Sequence, residues 1–259
     1  MANEVATTNG FNLMTLNDFS EAIAEEMDGL GTIPLDRVKI PSGGGIAFEI
    51  PGDDEDNPES ASELVGIILH HHAVNAYWRN KFSGANDKPD CSSMDGKTGV
   101  DQETGEMKSC ADCPYNQFGS DDDGRGKACK NIHRIYFLRS DNQVPIIISL
   151  PPTSLKSMRD YIGKRILVKG MRCYDALTKI TLKKEKNAAG IVYSRVVFTF
   201  VEKLSDEARA QAKIVADSMK QMDKNFDVDE DDYSTGAPVT DKDGFMNVPE
   251  GSEEQMPFN

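Results

Sequence analysis

Residues 178–201 read TKITLKKEKNAAGIVYSRVVFTFV, and apolar and polar side chains alternate through both halves. In Thr178–Lys184, Ile180 and Leu182 point one way while Lys179, Thr181 and Lys183 point the other. In Ile191–Val201, Val192, Val196, Phe198 and Phe200 form the apolar face, with Tyr193, Arg195 and Thr199 opposite. The period of two predicts two neighbouring strands with one buried and one solvated face.

Working outward, Arg165–Tyr174 is a third strand candidate upstream, and Ile132–Arg139 and Val144–Leu150 are two more. Pro151-Pro152 opens a short helical stretch to Ile162. Leu64–Val74 is a long β-rich apolar run. Leu35–Ile50 alternates around Ser42-Gly43-Gly44-Gly45, which reads as a hairpin connection, and Asp53–Ser62 is polar and loop-like. No Gly-x-Gly-x-x-Gly or Walker pattern follows a strand. Helices are predicted over Ser205–Met222, with Ala208, Ala212, Val215 and Met219 on one stripe, and over Thr15–Met27, where Thr15 and Asp18 suit a capping box and Gly29 a stop. This inventory predicts a mainly β fold of the α+β kind. Its simplest architecture is a small antiparallel barrel of the oligonucleotide-binding (OB) type with a polar insertion and flanking helices.

The 259 residues carry 43 Asp and Glu against 29 Lys and Arg, for a net charge of −14, which excludes a uniformly basic polyanion binder. The charge is segregated. Arg125–Lys203 holds 17 basic and 5 acidic residues, or +12, whereas Asp223–Asn259 holds 2 and 11, or −9. That last segment is rich in Gly and Pro and is expected to be a disordered acidic tail. No apolar run reaches the length of a membrane span and no signal sequence is evident, so a cytoplasmic protein with no membrane partner is expected.

Between Asn80 and Lys130 the composition shifts to Gly, Asp, Ser, Lys and Cys, too poor in aliphatic residues for an ordinary core. Cys91, Cys110, Cys113 and Cys129 lie there, separated by 18, 2 and 15 residues. A Cys-x-x-Cys pair flanked by two further thiols fits one closed, tetrahedral, structural zinc ion, and an odd total of five cysteines argues against paired bridges. A redox pair would need a helix N-terminus after a βαβ unit, which Pro114-Tyr115-Asn116 does not supply. Cys173 reads as a small buried hydrophobe. His70, His71 and His72 continue an apolar strand and read as neutral, locally bonded histidines, with His70 and His72 on one face.

Tyr77-Trp78-Arg79-Asn80-Lys81-Phe82 interleaves three aromatics with two cations, and Arg125, Lys127, Lys130 and Arg134 add charge around the last cysteine. With Lys179, Lys183, Tyr193 and Arg195, extended by Arg165, Lys169 and Arg172, they form the set expected to hold phosphates while bases stack on rings. That combination suits single strands, whose bases are exposed.

The C-terminus, Glu250-Gly-Ser-Glu253-Glu254-Gln-Met256-Pro257-Phe258-Asn259, resembles the tip of bacterial single-stranded DNA-binding proteins, where acidic residues precede Pro-Phe, although that family usually ends on the phenylalanine. The resemblance implies a partner-binding tail of Glu253, Glu254, Met256, Pro257 and Phe258 that recruits replication and recombination proteins. The body, through Cys91-Ser-Ser-Met-Asp-Gly, Cys110-Ala-Asp-Cys113-Pro-Tyr-Asn-Gln-Phe-Gly-Ser and Lys127-Ala-Cys129-Lys, is similar in plan to phage and mobile-element single-stranded DNA-binding proteins. That plan is an OB barrel with a zinc-binding insertion. It implies a non-enzymatic protein that coats single-stranded DNA in replication or recombination.

The expected layout is a helical arm over 1–34, an OB-like domain over 35–204 with a zinc-binding insertion at 83–130, a helix over 205–222 and the tail over 223–259. The alternative reading is a zinc-ribbon adaptor binding a host polymerase or another protein. A zinc nuclease or deaminase is disfavoured by the thiolate-only ligand set, which lacks the His-x-Glu pattern.

Overall fold

The computed structural model describes residues 25–30, 33–41, 43–52, 58–80, 88–122, 124, 126–187 and 190–222. The helix expected over Thr15–Met27 lies outside the described residues except for Glu25, Glu26 and Met27, of which Glu25 and Glu26 are helical. The strands are β1 (Arg37–Val38), β2 (Phe48–Ile50), β3 (Glu59–Ala61), β4 (Glu63–Tyr77), β5 (Cys91–Ser93), β6 (Thr98–Asp101), β7 (Met107–Ser109), β8 (Lys130–Arg139), β9 (Ile146–Leu150), β10 (Ala176–Lys186) and β11 (Val192–Lys203). Two helices accompany them, α1 (Pro152–Tyr161) and α2 (Asp206–Met222). The fold is mainly β, as the alternation predicts.

The apolar run beginning at Leu64 becomes β4, which holds the sheet together. One edge pairs antiparallel with β8 from Gly66 to Ala76, with a register shift between Ile68 and His70. The other edge takes β10 along Glu63–Ile67 and β5 along Asn75–Tyr77. The sheet continues from β8 to β9 and to β1, which runs parallel to β9, and on the other side from β5 to β6 and β7. The described strands do not close into a barrel, because no ladder joins β9 to β11. The Gly43–Gly45 run does make an antiparallel connection, with Lys39 and Glu49 exchanging backbone hydrogen bonds of 2.9 and 3.1 Å. Part of the expected loop at 53–62 is instead β3, paired with β2.

Both faces of the central strands are covered, which explains why Ile146–Leu150 is buried throughout rather than alternating. On one face Leu64, Ile68, Ile135, Phe137, Ile148 and Leu150 pack with α1 and β10–β11 residues. Here Ser154 Oγ accepts the Val196 N–H at 3.0 Å, and the Tyr161 hydroxyl bonds Thr178 Oγ1 at 2.6 Å. On the other face Ile67, Leu69, Tyr136, Leu138 and Leu177 meet the Ala208, Ala212, Ala216 and Met219 stripe of α2. Alanines at that spacing let the helix lie close to the sheet. Ser205 Oγ accepts the Ala208 N–H at 3.2 Å, and Arg209 Nε reaches the buried Asp175 at 3.1 Å, so the start of α2 is fixed.

The expected strand at Arg165–Tyr174 does not form. After α1 the chain widens into a π turn at Ile162–Ile166, then makes 3-10 turns at Leu167–Lys169 and Cys173–Asp175. Gly170 at φ 68° reverses the direction, a conformation that β-branched strand residues resist.

All four histidines sit in the middle of β4 and β8. His70 and His72 stack at 5.5 Å on one face, and His72 Nδ1 donates to the Met94 carbonyl at 2.7 Å. On the opposite face His71 Nδ1 and His133 Nε2 share a 2.8 Å hydrogen bond, while His71 Nε2 lies 3.8 Å from Cys173 Sγ. Burial, then the neighbouring histidines, lowers His71 to about 4 and His133 to about 3. A nitrogen-to-nitrogen bond requires a lone pair, so the pair is not doubly protonated.

In the unfolded chain these imidazoles protonate near pH ~6.5, whereas the folded pair resists until well below it. The unfolded state therefore binds more protons in that window, and stability falls as pH drops through it. The melting temperature is expected to decline between about pH 7 and about pH 4.5, and less steeply in His133→Gln. A flat profile would contradict the buried neutral pair.

Candidate functional site

Residues 88–130 hang from the far end of β4 as the meander β5–β6–β7, and no Val, Ile, Leu or Phe among their described residues is buried. Polar side chains set the turns instead. Asp95 Oδ1 accepts the Lys97 and Thr98 N–H groups at 2.7 and 2.8 Å. Asp101 Oδ1 accepts those of Glu103 and Thr104, each at 3.1 Å. Those backbone bonds, that of Thr104 first, hold the Asp101 carboxyl below the usual carboxylate range. Asn116 Nδ2 donates to the Cys110 carbonyl at 2.7 Å and the Cys129 N–H to the Tyr115 carbonyl at 2.8 Å, tying the two halves of the insertion together.

This scaffold brings Cys91, Cys110, Cys113 and Cys129 around one cavity of about 540 Å³, together with Tyr77 and Tyr115, whose rings stack at 4.2 Å. All five cysteines are free thiols. Burial, followed by the charges of Cys110, Cys113 and Cys91, pushes the Cys129 thiol up to about 12. Burial, then Cys110 and Cys113, raises Cys91 as well. Gly99 forms part of the wall: a Cβ there would stand 3.0 Å from Cys91 Sγ and 3.5 Å from Cys110 Sγ. Among the described residues no three His, Cys, Asp or Glu side chains are placed to hold a metal ion, so the sulfurs ring the cavity without closing on a point. Cys173 lies far along the chain from this lobe, packed against the core, with burial pushing its thiol up to about 11.

The cationic candidates divide into groups. In the β10–β11 ladder Lys183 pairs with Arg195, Glu185 with Tyr193 and Lys179 with Thr199, so Lys179, Lys183, Tyr193 and Arg195 share one face. Carboxylates share it too. Arg195 Nη2 meets Glu185 at 2.8 Å, the Tyr193 hydroxyl donates to Glu185 at 3.2 Å, and Lys179 Nζ lies 3.5 Å from Glu63. Lys183 is exposed.

Tyr77, Trp78 and Arg79 stand at the other end of β4, roughly 40 Å away along the strand at its usual rise. Tyr77 is occupied by Tyr115, Trp78 is half-buried, and Arg79 bridges Asp101 at 3.3 Å and Glu103 at 2.8 Å. Lys81, Phe82, Arg125 and the tail residues Glu253, Glu254, Met256, Pro257 and Phe258 lie outside the described residues. Lys127 caps the ring of Phe118 at 5.3 Å, and Lys130 is exposed at the start of β8.

Arg134 departs from expectation. It is 0% exposed, with Nη1 3.4 Å from the Tyr136 hydroxyl, on the face of β8 where His70 and His72 stack with Tyr136. It is a core cation, out of reach of a surface ligand. Lys169 and Arg172 are exposed in the turns after α1 rather than on a strand, and Lys169 Nζ sits 3.3 Å over the Phe200 ring.

Sequence reasoning missed Tyr115 and Gly99 as walls of the cysteine cavity. The signal for Gly99 was its place between Cys91 and Cys110 in a segment otherwise built of turns, though only the β5–β6–β7 register shows that it faces both sulfurs. No protein-family model, curated protein or solved structure matches this chain. No helix among the described residues is long and apolar enough to cross a membrane.

Asp101→Ala is expected to strip hydrogen-exchange protection from the Glu103 and Thr104 amides while leaving β10–β11 unchanged. Uniform loss of protection in both regions would show that the lobe is not held locally.

Proposed function

We propose that this chain binds single-stranded DNA without catalysing a reaction on it, as a coating protein of phage or mobile-element replication or recombination in a bacterial cytoplasm. The acidic tail serves as its partner-binding segment. The observation that carries this reading is the β10–β11 register, which sets Lys183 against Arg195 and Tyr193 two pairs further on, all on one side. Cations flanking a ring are what a backbone-tracking, base-stacking surface needs. The connectivity supports the same reading. β4 pairs with both β8 and β10, β9 follows β8, and α1 lies between β9 and β10 before β11, in the manner of an OB barrel left open between β9 and β11.

One zinc ion held by Cys91, Cys110, Cys113 and Cys129 belongs to the proposal. The all-thiol donor set suits zinc, and the missing side chain at Gly99 leaves the space that two of the sulfurs occupy. When bound, zinc supplies cross-linking of a lobe that lacks an aliphatic core, and with four protein ligands it leaves no position for chemistry.

A specific observation favours the adaptor reading for the lobe itself. Residues 88–130 contain nine acidic and six basic residues, and Phe118 and Met107 are 82% and 72% exposed. A net-acidic lobe displaying apolar side chains fits a protein partner better than a polyanion.

Anisotropy titration with oligo-dT, duplex DNA and RNA tests the principal reading. Oligo-dT is expected to bind tightest, with a log–log salt slope of about −0.7 per phosphate neutralised. Equal affinity for duplex would remove the proposal, and pulldowns that persist after nuclease treatment would favour the adaptor. Elemental analysis is expected to find one zinc per chain, with Gly99→Ala weakening retention against a chelator roughly tenfold, as other changes next to metal ligands do. Full retention in that variant, or no zinc in the parent, would refute the assignment.

A further inference from the structure

The turn that follows α1 has a construction that strand pairing does not explain. Ile166 and Met171 are 0% and 5% exposed and pin its two ends, with Met171 N–H bonded to the Ile166 carbonyl at 3.3 Å. Between them Leu167 and Val168 are 54% and 77% exposed, and the Gly170 N–H closes back on the Leu167 carbonyl at 2.9 Å. The π turn brings this about, since its wider pitch keeps Ile166 inside while turning the next two side chains outward. Two adjacent aliphatic side chains are thus held in water on a tight, preorganised tip.

Cations surround that tip. Lys164 is paired with Asp160 at 3.3 Å. Arg165, Lys169 and Arg172 are exposed, and among the described residues none of the three is ion-paired with a carboxylate. Lys169 instead lies over Phe200, on β11. Lys179, Arg195 and Arg79, by contrast, are all matched with carboxylates. A polyanion approaching those three must compete with Glu63, Glu185 or Asp101, whereas at the turn it meets positive charge already free of such partners.

We infer that the turn 162–172 is a principal contact for single-stranded DNA, with Leu167 and Val168 lying against bases and Arg165, Lys169 and Arg172 engaging the flanking phosphates. This rests on the proposed function and assigns its strongest contact to a place other than the β10–β11 face. Uncompensated charge beside exposed apolar surface matches a ligand that is anionic along its backbone and apolar on its base faces. An anionic lipid surface offers the same charge, but the apolar tip is only two side chains wide, far short of the continuous face on which an interfacial helix relies.

The test uses the full chain, with circular dichroism confirming the fold of each surface variant. The probes are oligo-dT, an abasic deoxyribose-phosphate oligomer of equal length, and phosphatidylserine–phosphatidylcholine vesicles. Arg165→Gln/Arg172→Gln is expected to reduce the magnitude of the oligo-dT salt slope by about 1.4, two cations' worth. Leu167→Ser/Val168→Ser is expected to weaken oligo-dT binding about fivefold, the low end of a base-stacking contribution, while leaving the abasic oligomer unaffected. If the parent binds oligo-dT and both variants match it in affinity and slope, this assignment falls and the proposed function stands. If the parent does not bind oligo-dT, the proposed function itself falls. Vesicle binding that the variants lose while oligo-dT binding persists overturns the assignment in favour of a lipid contact.

Discussion

At Gly66 and Ile67 both edges of β4 are in use at once, and Gly66 pairs with Arg139 on β8 and with Thr178 on β10. A Cβ at that position would run into the Leu138 carbonyl oxygen and stand 2.7 Å from the Phe137 ring. The close approach this permits lets one strand hold β8 and β9, which seat α1, and also β10 and β11, which carry a cationic face. Ten residues further along, the same strand has exchanged β10 for β5 and supports the cysteine lobe. Either end of β4 can be functional only because the middle is packed on both faces, and the price is that the four histidines and Arg134 are drawn into that middle.

Where a residue pattern has one physical cause, the structure follows it. The alternation of Lys179 to Lys183 and of Val192 to Phe200 reports one wet face and one dry face, and both strands form in the register that alternation requires. Ser205 and the stripe likewise mark α2, where Ala208, Ala212 and Met219 are buried and Ala216 joins them, with Val215 only partly covered. The sequence is silent where two causes give one pattern. Ile166, Leu167 and Val168 are β-formers by composition, yet one fills the core and two face water, because the end of α1 fixes the chain's heading before strand propensity acts. The strand of Arg134 taken alone predicts surface charge, whereas the stacking of His70 and His72 of β4 on Tyr136 covers that face of β8. For the candidate site, the spacing of the cysteines indicated that they gather. The stacking partner of Tyr77 and the space at Gly99 depend on the register of β5, β6 and β7, which no local pattern in that segment encodes.

Counting cations overstates what a surface offers a polyanion. The +12 of residues 125–203 is spent in several ways. Some of it is buried with Arg134, some is matched by Glu63 and Glu185, and some stays open in the turns after α1. An exposed ion pair is worth little, so Glu185 does not silence Arg195, but it does mean that binding there exchanges one partner for another. Among the described residues, Arg165, Lys169 and Arg172 have no such exchange to make. Under the proposed function, the order in which these surfaces engage an anionic strand is set by their compensation, and added salt weakens the open cations most directly.

The cysteine lobe and the sheet are joined through covalent neighbours rather than through a shared core. Cys91 is the direct ladder partner of Tyr77, the last residue of β4, and Cys129 immediately precedes Lys130, the first residue of β8. Asn131 Nδ2 donates to Asn75 Oδ1 at 2.8 Å across those same two strands. Hydrogen bonds such as those of Asp95, Asp101 and Asn116 define a shape but do little to resist its opening, because water competes for them. A force that draws the four sulfurs together acts on the ends of β4 and β8 with no intervening linker.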